Sequence, residues 1–190
     1  MSLILFDYGH GGSDPGAVNG SRKEAVDVLK LGQAVAQVVR AAGVTVDETR
    51  TGDQALTLAD RSNLERKKKY DYFLSFHRNA FADANAHGAE TFVYSSNSKA
   101  MPLAKGIQKA MVACGFRDRG VKTANFHVLR ETRSPAVLLE VGFITNAKDN
   151  LLFDNNFNEL TQAIAAAILG VVSPAKLGEK QCTTCGRLLA

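Results

Sequence analysis

The sequence predicts a single α/β domain: a twisted, mixed but mostly parallel sheet with helices on both faces. Three observations carry this. Short apolar runs alternate with amphipathic stretches along the chain, as βα units do. The 190 residues suffice for one domain with a sizeable core. The 45% hydrophobic and 22% charged shares are those of an ordinary globular chain.

Residues 3–6 form a short apolar run that reads as a buried strand. Between residues 22 and 42, Ala25, Val28, Leu29, Val35, Ala36 and Val39 recur at helical spacing, and Gly43 supplies the stop. Residues 44–48 alternate as a half-buried strand, 57–69 read as a charged helix and 70–76 as a second buried strand. β-branched and aromatic residues predict a strand over 88–94, followed by a helix over 98–114. Residues 126–129 and 136–141 read as further strands, with Ser134 and Pro135 punctuating between them. Leu160, Ile164, Ala167, Ile168 and Val171 make one apolar stripe on a last helix over 156–171. No internal repeat is seen. The expected organisation is one folded domain over 1–172 and a linker with a Cys-x-x-Cys tail over 173–190, with no room for a further module.

Composition narrows the partners. A net charge of +4 suits an anionic polymer, but the one dense basic run, Arg66 to Lys69, lacks the interleaved aromatics of single-strand nucleic-acid binders and reads as a solvated face. No nucleic-acid partner is expected. No run reaches the length of a membrane span, and residues 1–6 lack the basic and cleavage regions of a signal peptide. The expectation is a chain that stays in the cytoplasm until released. Three cysteines, an odd number, argue against a disulfide framework.

Two histidines carry the strongest chemical signal. His10 stands in Asp7-Tyr8-Gly9-His10-Gly11-Gly12 and His77 in Ser75-Phe76-His77-Arg78-Asn79-Ala80, each after an apolar run. Strand ends of open α/β sheets are where ligands bind. Glu24 is a candidate third ligand and Glu140, closing another apolar run, a candidate general base. Two His and one Glu around zinc, with a fourth position left for water, form a catalytic arrangement and not a structural one. Either histidine alone would be weak evidence.

Residues 7–17, Glu24, residues 75–80 and residues 135–146 together resemble the zinc-dependent N-acetylmuramoyl-L-alanine amidases of phage endolysins and bacterial autolysins. Gly88-Ala89-Glu90-Thr91 and Arg119-Gly120-Val121-Lys122 fit in order, and the resemblance spans residues 3 to about 172. It implies one catalytic zinc ion on His10, Glu24 and His77, Glu140 as the catalytic carboxylate, and peptidoglycan as substrate, cut between N-acetylmuramic acid and L-alanine during lysis. Asn79 is weighed evenly between binding substrate and holding its loop. Arg61 and Asn63 are expected to brace the fold, His87 to be an exposed loop residue, and Cys114 to be a buried small hydrophobe. Tyr8 departs from the proline common in the family. Arg78 and His127 are expected to pack on the surface, contact with an anionic stem peptide being the alternative. Cys182 and Cys185 resemble half of a zinc knuckle. A disordered tail is the first expectation, and a homodimer sharing an intermolecular zinc the second. A zinc peptidase or carboxypeptidase acting on the stem peptide, and a catalytically silent wall-binding domain, are the competing functions.

Overall fold

The computed structural model describes residues 2–173. Cys182, Cys185 and the dimer they would form lie outside the described residues. In chain order the elements are β1 (Leu3–Tyr8), β2 (Val18–Asn19), β3 (Arg22–Lys23), α1 (Glu24–Ala41), β4 (Thr45–Glu48), α2 (Leu58–Glu65), β5 (Tyr72–Asn79), β6 (Ala89–Val93), α3 (Met101–Ala113), β7 (Asp118–Thr123), α4 (His127–Arg130), β8 (Ala136–Phe143), α5 (Ala147–Asn155) and α6 (Phe157–Val172). Six strands form one sheet in the order β4-β1-β5-β8-β6-β7, parallel except where β6 runs antiparallel to β8; β2 and β3 make a separate small ribbon. The predicted mixed, mostly parallel sheet is what forms.

Strand alternation sorts side chains between two unequal faces. Ile4, Phe6, Leu74, Phe76, Val137 and Leu139 join the large core, which also takes in Val28, Val35, Leu103, Ile107, Leu160 and Ile164 from α1, α3 and α6. On the other face Leu5, Phe73, Ala136 and Leu138 pack with Val128 and Leu129 of the short α4. Beyond this apolar patch the same face turns polar, with Asp7, His77, Asn79 and Glu140 lining a cleft. Incomplete cover on this side leaves the site open.

Three expectations change. The run at 126–129 folds as a helical turn, α4, in which the Phe126 carbonyl accepts from the amides of Leu129 and Arg130. A four-residue apolar run is too short for its period to tell strand from helix. Residues 118–123, not assigned to any element, form the edge strand β7, half exposed and hence without an apolar signature. Residues 147–155, also unassigned, form α5, opened by the Asn146 side chain accepting from the Asp149 amide.

Candidate metal centre

The apolar runs undershoot their strands. β1 continues to Tyr8, β5 to Asn79 and β8 to Phe143, so His77 and Glu140 lie inside strands and not at their ends. His77 and Glu140 are register partners across β5 and β8, and Glu140 is in turn partnered with Glu90 across β6. Pleating therefore aims all three side chains at one face.

His10 reaches the same place from the loop after β1. It adopts φ 61°, followed by Gly11 at 123° and Gly12 at 59°, a left-handed run that glycine tolerates and histidine does not favour. Two buried arginines hold it. Arg61 donates to the carbonyls of Tyr8 and His10 and to the Asp7 carboxylate, at 2.6, 2.9 and 2.7 Å. Arg50 donates to the carbonyls of Tyr8 and Gly9, both at 2.9 Å. Asp7, fully buried, also accepts from Thr49 and Ser75. Arg61 thus braces the loop, as expected of it; Arg50 carries no motif that would have marked it.

Glu24 opens α1, where the helix dipole favours a carboxylate. It accepts from the Ala17 and Arg78 amides at 3.0 Å each, and its Oε1 lies 3.2 Å from His10 Nε2 and 3.0 Å from His77 Nδ1. Donor atoms of His10, Glu24 and His77 fall within 4.8 Å of one another, a group able to hold a metal ion. The other His10 nitrogen, Nδ1, is 2.8 Å from Asp14 Oδ2, the carboxylate support that fixes a ligating imidazole. Glycines shape the cradle: a Cβ on Gly9 would stand 2.3 Å from His77 Cε1, and one on Gly16 2.6 Å from His10 Cδ2. Donor chemistry and space both fit an ion.

The two carboxylates of the site are driven apart. Burial works against ionised Glu24, but hydrogen bonds and charge from His10 and His77 hold it well below the usual carboxylate range. Glu140 moves the other way, raised by burial and by the negative charges of Glu24 and Glu90, with Arg78 offsetting part. Its Oε2 is shut from solvent with no hydrogen-bond partner. The residue as a whole is half-buried and lines the cleft, where a substrate or a water would meet its carboxylate.

The remaining expectations divide. Asn79 lines the cleft, yet its amide donates to Glu90 at 2.5 Å and its Oδ1 accepts from the Ala80 amide, which is loop-holding geometry. Arg78 is not on the surface: at 1% exposure it pairs with Asp27 at 2.6 Å and donates to the Val141 carbonyl, on the helix-covered side. Asn79, two residues from His77, shares its face of the strand, whereas Arg78, one residue from it, points to the opposite face. His127 does line the cleft, 3.2 Å from Ser62 Oγ. His87 is half-buried, its Nδ1 on the Asn85 carbonyl, and Cys114 is buried. Tyr8 ends β1 with its ring against Gly32 and its hydroxyl on Glu48 at 2.8 Å. Phe126, read as a strand residue, instead stands in the cleft wall.

The chain is 39% identical over 153 residues to N-acetylmuramoyl-L-alanine amidase CwlM of Bacillus licheniformis, covering 78% of this chain and 59% of that one. It is 38% identical to the sporulation-specific N-acetylmuramoyl-L-alanine amidase of Bacillus subtilis, with the same coverage. The chain thus spans about three-fifths of the length of these curated relatives. Among solved structures, the catalytic domain of CwlV, an N-acetylmuramoyl-L-alanine amidase from Bacillus (Paenibacillus) polymyxa var. colistinus, superposes with a TM-score of 0.82 at 37% identity, covering 89% of this chain and 97% of that one. Residues 4–170 match the N-acetylmuramoyl-L-alanine amidase family, and the chain belongs to that family.

Proposed function

We propose that this chain is a zinc-dependent peptidoglycan hydrolase that cleaves the amide between the N-acetylmuramoyl group and L-alanine, acting on the cell wall during lysis. The observation that carries the reading is the convergence of His10, Glu24 and His77 within 4.8 Å beside an unpartnered Glu140 oxygen. Family membership supports the substrate class. His10, Glu24 and His77 would hold one zinc ion. Zinc at such a site supplies a Lewis acid that polarises a carbonyl and acidifies water.

Glu140 does the proton transfer. With the Glu24 charge balanced by a cation, Glu140 is the cleft carboxylate placed to accept a proton from water. As the water oxygen bonds to the amide carbon, the proton moves to Glu140. As the carbon–nitrogen bond breaks, the same proton passes to the departing L-alanine nitrogen. The products are a lactyl carboxylate on the sugar and a free amine on the peptide. Asp14 keeps the His10 ring oriented, and Arg61 and Arg50 keep its loop in place.

Purified protein loaded with zinc, incubated with muropeptides and followed by mass spectrometry for new amino termini, tests this. Stem peptides beginning at L-alanine, lost on chelation and restored by zinc, are expected. New termini inside the stem peptide would make the protein a peptidase, and binding without cleavage would make it a silent wall-binding domain.

A further inference from the structure

The cleft is chemically mixed. Its lining combines the polar His10, Glu24, His77 and Glu140 with the apolar Leu58, Phe126 and Val128. Leu58 is 56% exposed and Phe126 41%, large apolar groups left open to water inside a cleft of about 560 Å³. Phe126 is nonetheless fixed. Its ring meets Phe92 at 5.2 Å between centroids and 66° between planes, and its backbone caps α4. The Ser62–His127 contact ties α4 to α2, the helix that carries Leu58. An exposed aromatic held in one orientation binds with little loss of side-chain freedom.

The amide that the family reaction cleaves joins two unlike groups. The peptide side begins with a methyl group and a polar backbone, whereas the sugar side carries a pyranose ring with an apolar face of C–H bonds. We propose that Phe126, assisted by Leu58, is the platform on which that pyranose ring packs, making this wall the saccharide subsite. The inference rests on the amidase reading for the identity of the ring. It explains why the wall of a polar site carries an immobilised aromatic that the fold itself leaves partly uncovered.

The test uses the zinc-loaded protein and two substrates, N-acetylmuramoyl-L-alanyl-D-isoglutamine and the same dipeptide bearing only a lactyl group. Phe126→Ala and Phe126→Leu are expected to raise KM about three- to tenfold on the saccharide substrate, the range of one aromatic contact, with kcat held within about twofold. KM on the ring-free substrate should not move, and Phe126→Tyr should restore the saccharide KM. Equal losses on both substrates, or none on either, overturn the proposal. Saturation-transfer NMR with free N-acetylmuramic acid separates this inference from the reaction. A ring signal present in the native protein and lost in Phe126→Leu supports the subsite even where no amide is cut; an unchanged signal overturns it whatever the turnover.

Discussion

At the scale of single residues, the site depends on groups that never touch substrate. Asp14 meets His10 at its far nitrogen and accepts from the Gly16 amide, so Asp14→Ala should leave the ligand set intact and lower metal affinity about 10- to 100-fold, read by competition with a chromophoric chelator. Gly9→Ala should be at least as damaging, since its Cβ would displace the His77 ring. Acidity acts through the same atoms. Burial opposes charge on His10, but Glu24 and Asp14 outweigh it and raise its proton affinity in the metal-free protein. A raised value means the proton is still held near pH 6.5, and a ligating imidazole must shed it. Metal affinity should therefore fall by more than about fourfold between pH 8 and pH 6, the change an unshifted imidazole would give, with proton release on binding. An affinity flat over that range would show that His10 is not a ligand. That His10, His77 and Glu140 share one cleft was legible because each sits in a motif, and Glu24 because it follows the first of them; Arg50 was not, because a buried arginine that donates to carbonyls has no local signature.

At the scale of elements, α2 and the loop after β1 are locked together by one side chain. Arg61 is 3% exposed and its partner Asp7 is fully buried, so Arg61→Met strips a buried carboxylate of its counter-charge. Denaturant titration should show a loss of about 3–5 kcal/mol, with the His10 loop loosened as well. A loss under 1 kcal/mol would mean that Thr49 and Ser75 suffice for Asp7. Elements with a full helical period, such as α1, α3 and α6, were readable to within three residues at either end. Those without one were not: α4 is a single turn, and β7 exposes half its residues. The strand ends were cut short because Asp7 and His77 interrupt the apolar runs, although the pleat continues through them.

At the scale of the whole molecule, an ion would join the start of α1 to β5 and to the loop after β1, three segments far apart in sequence. Zinc at about a hundredfold excess over its dissociation constant should add about 2.7 kcal/mol, raising Tm by roughly 5–10 °C, and chelation should reverse it. No helix among the described residues is long and apolar enough to cross a membrane. The overall class was legible because alternating apolar runs and amphipathic stretches leave few ways to bury both. Missing from that reading was the asymmetry of cover, the long α1, α3 and α6 with α5 on one face and only the short α2 and α4 on the other, which is set by packing and opens the cleft. The most direct test of the account measures bound zinc and amide cleavage together in His10→Ala, Glu24→Gln, His77→Ala and Glu140→Gln. The first three should lose both zinc and cleavage, while Glu140→Gln should keep one zinc per chain and lose cleavage by at least about a hundredfold. A Glu140→Gln protein that still cleaves, or a ligand variant that keeps its zinc and its turnover, would contradict it.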